Sequence, residues 1–387
     1  MPHRHDYDVA VIGGGPAGVA AAAGAAKSGK NVLLVDASDR LGGAVTAAMH
    51  RSLCGLYAGA PQSPLDTLNG GTQRNIVQLM LRKEPELVQP RRFGKAWVLE
   101  FPASAWLAAL ADACSKPNID LKLNSRVTAV RREGNRITAI QIDNWIDVKA
   151  LIDCTGGGNV LQLAGDDTLL PPDPTGPMLG GYAIRFANLT GEPEMLRLQT
   201  AYTLSQAADA GSLPPLARFT AFYPGPGYGE GVCKLAVNPD EFSDDQVKQF
   251  ANAVVEHLRR EVPPFRDAKI VEQSPRAQRR DGRRLRGKFI VTEDDVLSGR
   301  KIGPAAVHAW WPIERWDISQ GPTYTYPPPD EHYDIPLDAL RSAAVENLFA
   351  CGICVSATAG AADSIRAGGI CLATGDAAGR LASKTDQ

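Results

Sequence analysis

The chain has 387 residues and a formal net charge of −2, so it is too long for one simple core and has no charge excess to attract nucleic acid or an anionic membrane. Apolar residues make up 44% and charged residues 22%, which is typical of a globular enzyme. No apolar run reaches the roughly 18 residues of a membrane span. The N-terminus lacks a charged-then-apolar leader, so we expect a cytoplasmic protein. The seven scattered cysteines predict reduced thiols.

The N-terminal segment predicts a complete β–α–β unit. Residues 8–12 form a short apolar run that ends at glycines, which is typical of a buried parallel strand. An alanine-rich helix is predicted over residues 16–28, and a second strand over 31–36. Strand, glycine-rich turn, helix and strand in this order predict a nucleotide-binding unit.

The turn between the first strand and the helix has the G-x-G-x-x-G pattern. Gly13 permits the tight turn, Gly15 lets a diphosphate approach the backbone, and Gly18 lets the helix pack on the sheet. Pro16 and Ala17 begin the helix, whose free N–H groups and partial positive charge face the diphosphate. These five residues are predicted to bind a dinucleotide.

The second strand ends at Asp36, where a carboxylate binds ribose hydroxyls and repels a 2′-phosphate. This favours FAD or NAD over NADP. The chain continues through Ala37 and Arg40 to the pair Gly42 and Gly43. An arginine and paired glycines after the ribose acid resemble the FAD-binding pattern of glutathione-reductase-type flavoproteins, in which the chain turns back over the diphosphate. These positions are therefore expected to contact FAD.

Short alternating strands over residues 119–152 predict a β-meander that leads into a buried strand. Thr155 and Gly156 follow that strand and resemble the second FAD motif of the same flavoproteins, with Cys154 in place of the usual alanine. By the same resemblance, Val127 is expected where the backbone meets adenine.

A third predicted strand ends at Gly352, and a helix follows Ser364. The resemblance implies that this helix, which includes Ile370, directs its N-terminus at the flavin pyrimidine. A helix dipole there stabilises negative charge on the reduced flavin. Gly352, Ser364 and Ile370 are therefore also predicted to bind the cofactor.

The predicted fold class is α/β, with a doubly wound parallel-sheet FAD-binding domain, a β-meander and an inserted α+β substrate domain. Residues 1–165 and 286–387 form the discontinuous FAD-binding domain. Residues 166–285 contain no cofactor motif, include an amphipathic helix over 243–260, and form the insertion. Residues 50–102 are predicted to be irregular, apart from one helix near 73–82.

The C-terminal hundred residues, with the N-terminal glycine motif and LCGLY at 53–57, resemble the bacterial FAD-dependent oxidoreductase family, which is distantly related to fumarate reductase and succinate dehydrogenase flavoproteins. Two positions depart from the family pattern. Ala362 or Asp363 stands where many members have a histidine before Ser-x-Arg, and Trp316 stands where many have a histidine after Trp-Pro. These departures weaken any transfer of fumarate-type chemistry.

Two groups are candidates for catalysis. Arg366 follows the third glycine motif and is predicted to bind an anion or act as an acid; a structural ion pair is the equal alternative. A dense cluster that includes His308, Trp311 and Glu314 can wall a substrate, with Glu314 or His308 as base. Packing between domains around Pro312 is the alternative for this cluster.

The basic stretch 276–288 indicates either an acidic substrate or carrier domain, or a solvated face. Cys351 and Cys354 have C-x-x-C spacing, which we interpret as incidental because Gly352 serves the cofactor turn. Cys54 is interpreted as a buried small residue, and His50 or Cys54 as a less favoured covalent flavin anchor. No cysteine–histidine cluster has zinc spacing, so no metal site is predicted.

These observations predict an FAD-dependent oxidoreductase that oxidises an amine- or alcohol-like small molecule by hydride transfer to flavin N5. A flavin monooxygenase, or a maturation flavoprotein acting on a protein- or carrier-bound substrate, is the alternative. We expect a small-molecule substrate and no nucleic-acid or membrane partner. The sequence leaves the oligomeric state open.

Overall fold

The structure is a computed structural model that describes residues 6–172, 176–225 and 227–385. In chain order its strands are β1 (Tyr7–Ile12), β2 (Val32–Val35), β3 (Ser52–Leu53), β4 (Gln89–Phe93), β5 (Ala96–Glu100), β6 (Ile119–Lys122), β7 (Ala129–Glu133), β8 (Arg136–Gln141), β9 (Trp145–Asp153), β10 (Gly180–Ala187), β11 (Ala221–Pro224), β12 (Gly231–Val237), β13 (Lys269–Gln273), β14 (Ala305–Ala309), β15 (Ile313–Asp317), β16 (Gly321–Thr325), β17 (Tyr333–Pro336) and β18 (Leu348–Ala350). Its α-helices are α1 (Pro16–Lys27), α2 (Gly43–Ala47), α3 (Gly71–Lys83), α4 (Ala103–Cys114), α5 (Asn159–Ala164), α6 (Pro193–Asp209), α7 (Asp244–Glu261), α8 (Glu293–Leu297), α9 (Ala359–Ile365) and α10 (Gly368–Ala382).

The central sheet is parallel in the order β6–β2–β1–β9–β18. Its strands are short apolar runs because both faces of the sheet are covered. Val9 and Val11 of β1 pack on one face, in a core that includes residues of α1, α3, α4 and α10. Ala10 and Ile12 face the opposite side, in a core with residues of β8, β9 and α5. The predicted doubly covered α/β sheet is confirmed.

The predicted β-meander is also confirmed. Strands β7, β8 and β9 pair antiparallel in sequence order. The long strand β9 belongs to both the meander and the parallel sheet. Its first half pairs with β8, and its second half pairs with β1 and β18. The end of β9 is thereby held beside the ends of β1 and β18, where the glycine motifs follow.

Helices α1 and α10 cross with their backbones in contact. A Cβ atom at Gly375 would collide with the carbonyl oxygen of Ala17, and one at Gly379 with that of Ala21. A Cβ at Gly24 would lie 2.8 Å from the carbonyl oxygen of Asp376. These glycines allow a helix approach that any side chain would prevent, and the approach places the middle of α10 against the first turns of α1.

A second, antiparallel sheet has the order β11–β12–β10–β13. It forms its own core with α6 and α7. Helix α7 begins with a capping box, because Ser243 Oγ accepts from the Gln246 N–H while the Gln246 side chain accepts from the Ser243 N–H. This sheet lies within the predicted insertion, whose exact boundaries remain a prediction.

The prediction that residues 50–102 are irregular apart from one helix was wrong. Strands β3, β5 and β4 form a three-stranded antiparallel sheet there. Strand β4 escapes a pattern-based prediction because it is polar and mostly exposed, so it has no apolar alternation. Its pairing is supported by an ion pair of 3.0 Å between Arg91 and Glu100.

Among the residues described, no helix combines the length and apolarity needed to cross a membrane.

Candidate cofactor site and active site

The first glycine loop has the backbone geometry that the sequence predicts. Gly13 has a φ of +107°, and a Cβ there would collide with the carbonyl of Cys154. Gly15 caps α1, and its hypothetical Cβ meets nothing closer than Gly43 Cα at 3.7 Å. A Cβ atom at Gly18 would collide with the carbonyl oxygen of Gly13. Gly15 therefore presents bare backbone to an open groove at a helix N-terminus, which is what a diphosphate requires.

The second loop folds back onto the first. The Gly42 N–H donates to the Gly14 carbonyl at 2.8 Å, and a Cβ at Gly43 would lie 2.9 Å from Gly15 Cα. Asp36 accepts hydrogen bonds from the Gly14 N–H and from Ser38, whose N–H is 2.7 Å from Asp36 Oδ1. The carboxylate is thereby fixed at the end of β2, on the wall of the groove.

The third loop is organised by Asp153, which is fully buried at the end of β9. Its carboxylate accepts from the Thr155 N–H at 2.8 Å and from the N–H groups of Val160 and Leu161, both at 2.9 Å. The Asp153 side chain thus supplies acceptors to the first turn of α5. Thr155 and Gly156 are held in the turn between β9 and α5.

Gly352 closes the site from the C-terminal segment. It has a φ of +65°, and its N–H donates to Thr374 Oγ1 of α10 at 3.1 Å. A Cβ there would lie 3.0 Å from the Ala17 side chain. The backbone after β18 thus lies against the first glycine loop.

One continuous cleft of about 3270 Å³ connects these loops with the second sheet. A pocket for a single small molecule has about 300–1,000 Å³, so the cleft has room for a dinucleotide and a second molecule. The predicted cofactor-binding residues that line it are Gly13, Gly15, Pro16, Ala17, Asp36, Ala37, Arg40, Gly43, Val127, Thr155, Gly156 and Gly352. FAD fits this arrangement, because exposed glycine backbone, a helix N-terminus and the carboxylate of Asp36, which is predicted to bind the ribose, all line one groove.

The four other predicted cofactor residues lie behind the cleft surface. Gly18 and Gly42 shape the loops by close backbone approach. Ser364 is buried, and its Oγ donates to the Trp311 carbonyl at 2.6 Å and bonds Tyr333 Oη at 2.8 Å. Ile370 is buried in α10. The cleft wall at this point is formed instead by Arg366, Ala367, Gly368 and Cys371 around the start of α10.

Glu314 lies at the centre of the predicted polar and aromatic cluster. Its carboxylate accepts from Trp311 Nε1 at 3.1 Å and from Trp316 Nε1 at 2.7 Å. Its backbone carbonyl accepts from Arg366 Nη2 at 2.6 Å. All four residues line the cleft. Because two indoles occupy both carboxylate oxygens, Glu314 is an anchor for the aromatic wall more than a free base.

Two arginines bring positive charge to the same wall. Arg366 is 14% exposed, and its Nε is 3.9 Å from Asp363 Oδ1 without a hydrogen-bond partner. Arg280 stacks its guanidinium 3.9 Å from the centre of the Trp316 ring and donates to the Leu179 carbonyl at 2.6 Å. A cation over an indole face is stabilised by the ring quadrupole. The wall therefore presents cations beside aromatic rings.

Lys234 is a charged residue of this cleft that sequence reasoning missed. It lies in β12, with its Nζ 2.9 Å from His50 Nδ1 and 5.2 Å from the centre of the Tyr223 ring. Burial, and next the charge of Arg280, lower the pKa of Lys234 to about 7. Burial and the charges of Lys234 and Arg280 also hold the pKa of His50 well below its usual value. The available signal was a lone lysine inside the apolar strand GVCKLAV.

His308 does not line the cleft. Its Nδ1 lies 2.8 Å from Asp334 Oδ1. Of the predicted catalytic residues, the fold therefore brings together Arg366, Glu314 and Trp311, and separates His308 from them.

Cys351 and Cys354, whose C-x-x-C spacing we interpret as incidental, are both free thiols. Cys351 Sγ lies 3.0 Å from Cys154 Sγ, across the ends of the parallel strands β18 and β9. Cys54 lines the cleft, but burial and the charge of Glu314 raise its pKa to about 12. All seven cysteines are free.

The basic stretch 276–288 lines the cleft and is also largely exposed to solvent. Its members in the wall are Arg276, Arg279, Arg280, Arg283, Arg284 and Arg286, and of these Arg276, Arg279, Arg283 and Arg286 are exposed. Arg279 is neutralised by Asp240 at 2.8 Å, whereas Arg283 donates to the Gly157 carbonyl at 3.1 Å. The stretch thus gives the cleft an excess of positive charge.

Three glycine turns around a ribose acid, at the carboxyl ends of a parallel sheet, define a dinucleotide-binding flavoprotein. The family model of FAD dependent oxidoreductases matches residues 8–178 and 221–385. The chain belongs to this family, and it is an FAD-dependent oxidoreductase.

Similar proteins were found by sequence and by structure. The soluble pyridine nucleotide transhydrogenase of Marinomonas sp. (strain MWYL1) is 54% identical over 46 residues, which is 12% of this chain and 10% of that protein. BexE, studied for oxidation during BE-7585A biosynthesis, is 19% identical with a TM-score of 0.46 over 73% of this chain and 54% of its own. The OxyS anhydrotetracycline hydroxylase of Streptomyces rimosus is 14% identical with a TM-score of 0.45, also over 73% and 54%.

A geranylgeranyl bacteriochlorophyll reductase-like protein from Thermoplasma acidophilum is 14% identical with a TM-score of 0.42, over 98% of this chain and 77% of its own. The chain thus spans a tenth of the transhydrogenase and about half of BexE and OxyS.

Proposed function

We propose that this flavoprotein oxidises a small anionic alcohol or amine, with Lys234 as the base. The observation that carries the proposal is the contact between Lys234 and His50, in a cleft shared by the cofactor loops and by Arg280 and Arg366. Bound FAD supplies the two-electron acceptor for the hydride that leaves the substrate carbon.

Lys234 removes the proton from the substrate hydroxyl or amine nitrogen. A base is most effective when its pKa is near the working pH, and the pKa of Lys234 is about 7. His50 is held neutral by its depressed pKa, so its Nδ1 lone pair accepts from Lys234 after the proton is taken up. A protonated Lys234 is therefore tolerated in a site that already contains cations.

Arg366 and Arg280 hold the anionic group of the substrate. Both line the cleft with Lys234, and a guanidinium fork binds a carboxylate through two parallel hydrogen bonds. The indoles of Trp311 and Trp316 wall the same space and exclude water from it. Their positions are fixed through Glu314. Together these groups orient a carboxylate-bearing molecule with its oxidisable carbon in the cleft.

The experiment is anaerobic bleaching of the flavin absorbance by a matched panel. Each carboxylate-bearing alcohol or amine is compared with its neutral ester or amide. We expect bleaching by at least one anionic member and a rate at least tenfold lower with its neutral counterpart. Equal bleaching by the neutral forms contradicts the proposed anion site, and bleaching by no alcohol or amine contradicts the proposed reaction.

A carrier-bound substrate is the second candidate, because the arginines of the 276–288 stretch line the approach to the site. A carrier domain presents an acidic surface and a tethered group. If it is the substrate, a thioester-linked form will bleach the flavin while the free acid will not.

A further inference from the structure

Two histidines and an aspartate meet where β14 and β17 pair. His308 of β14 lies directly opposite Asp334 of β17, and His332 immediately precedes β17. His308 Nδ1 is 2.8 Å and His332 Nε2 is 3.4 Å from the same oxygen, Asp334 Oδ1. All three candidate ligand atoms lie within 4.8 Å of one another. The strand register thus places two imidazoles close to the same carboxylate oxygen, Asp334 Oδ1.

The three ligands are held in place but remain accessible. Asp334 is buried, and its second oxygen accepts from the Ile302 N–H at 3.0 Å, so Oδ1 faces the imidazoles. The backbone of His308 is clamped by the Asn69 amide, through hydrogen bonds of 2.9 and 2.8 Å. The His308 and His332 side chains are 45% and 31% exposed. A metal ion and its bound waters can therefore reach the three ligands, which are already held close together.

The donor set fits a borderline transition metal. Zn²⁺ binds imidazole nitrogen and carboxylate oxygen at about 2.0–2.2 Å, which requires ligand separations of roughly 3.3–3.5 Å in a tetrahedron. The observed separations from Asp334 Oδ1 are 2.8 Å to His308 Nδ1 and 3.4 Å to His332 Nε2, and all three ligand atoms lie within 4.8 Å of one another. Mg²⁺ and Ca²⁺ prefer oxygen ligands and octahedral or larger shells, which two imidazoles do not supply.

We propose that His308, His332 and Asp334 form a Zn²⁺ site, with water completing the coordination shell. None of the three is among the residues that line the flavin cleft, so the site is distinct from the one proposed for oxidation.

The test uses FAD-loaded protein freed of metal with EDTA and titrated calorimetrically with ZnCl₂ alone. His3 and His5, which lie outside the described residues, are both replaced by glutamine so that they do not bind the ion. We expect one Zn²⁺ per chain and no binding of Mg²⁺ under the same conditions. A titration without a saturable site of one Zn²⁺ per chain overturns the proposal.

His332→Gln and Asp334→Asn are each expected to weaken Zn²⁺ binding at least tenfold. His257→Gln, which removes a histidine in α7, is the matched control and should bind as the parent does. Unchanged binding in both site variants overturns the proposal. Zinc-edge X-ray absorption of the parent protein decides the matter even if a variant does not fold. Two nitrogen ligands of imidazole type support the site, and a shell without imidazole overturns it.

Discussion

At the residue scale, the proposed base Lys234 contacts His50, and the lowered pKa of this lysine predicts how the reaction depends on pH. A lysine whose pKa is lowered to about 7 by burial is charged in mildly acidic solution and largely neutral above neutrality. Only the neutral amine accepts a proton. The rate at limiting substrate should therefore rise with pH and level off above an apparent pKa near 7.

Replacing Lys234 with methionine should remove this pH dependence. Loss of a general base lowers kcat/KM by about 10²- to 10⁴-fold, and the rising limb near pH 7 should disappear with it. Lys248→Met, on the exposed side of α7, is the matched control and should retain the parental profile. Steady-state kinetics from pH 5.5 to 9 decide the outcome. A variant that keeps the rising limb assigns the proton transfer to another group.

The lowered pKa of Lys234 also predicts that the stability of the folded protein depends on pH. Between about pH 7 and the unfolded-state value of 10.5, the unfolded chain binds a proton at this lysine that the folded chain does not. The free energy of unfolding should therefore rise with pH across this interval, by at most about 1.4 kcal/mol per pH unit from this group. Denaturant unfolding at pH 7 and pH 9 should show a smaller rise for Lys234→Met than for the parent. An identical rise in both contradicts the lowered pKa.

Arg366→Ala tests the anion site. Hydrogen bonds to charged groups contribute about 1.5–3 kcal/mol, so kcat/KM for an anionic substrate should fall roughly 10- to 150-fold while FAD stays bound. Arg366→Lys should recover only part of this, because a point charge does not reproduce the guanidinium fork. Arg380→Ala, which removes an exposed arginine of α10, should leave turnover unchanged. Normal turnover by Arg366→Ala would instead assign Arg366 to holding the Glu314 carbonyl.

How far sequence predicts this site depends on how local each requirement is. Gly13, Gly15 and Asp36 follow from the backbone and charge needs of a dinucleotide, so their spacing carries the information. Lys234 and His50 are 184 positions apart, and neither belongs to a motif. Their contact exists only because the second sheet packs beside the loop after α2. No spacing rule encodes that packing.

At the element scale, the crossing of α1 and α10 positions two cofactor loops at once. Gly375 and Gly379 bring the α10 backbone against the carbonyls of Ala17 and Ala21. The sequence predicts both helices, since their composition and flanking glycines are informative. It does not predict their contact, because the glycines of α10 are also compatible with an ordinary helix. Strand β4 was missed for the converse reason, since its polar, exposed residues lack the alternation that marks a strand.

Gly379→Ala should therefore destabilise the protein despite the better helix propensity of alanine. The propensity gain is about 1 kcal/mol, whereas forcing a methyl group against backbone costs about 1–3 kcal/mol or more. We expect a lower Tm and earlier release of flavin fluorescence on heating. Gly70→Ala is the control, because a Cβ there meets only Arg74 Nη1 at 3.9 Å. A Tm above that of the parent would indicate that the helices move apart at no cost.

At the scale of the whole molecule, the proposed active site takes its residues from both the second sheet and the nucleotide-binding half. Lys234 belongs to the second sheet, whereas His50 follows α2 of the nucleotide-binding half. Ser274 Oγ donates to the Ala47 carbonyl at 2.8 Å, which ties the end of β13 to the segment leading to His50. Met49, Ala183 and Val232 form a small buried cluster across the same boundary. The geometry of the base thus depends on how the two sheets are held together.

The arrangement of the two sheets predicts which compound reduces the flavin. In the described part of the chain, the nucleotide-binding β–α–β unit with G-x-G-x-x-G is the one at β1–α1–β2, and this is the predicted FAD site. The second sheet, β11–β12–β10–β13, is antiparallel and so cannot supply the parallel strand–turn–helix unit of a second dinucleotide site. NADH and NADPH should bleach the flavin at least 100-fold more slowly than the organic substrate. Anaerobic stopped-flow mixing measures both rates, with free FAD as the background. Rapid bleaching by either nicotinamide, retained in Lys234→Met, would show that reductant enters independently of the base and would favour a monooxygenase or reductase.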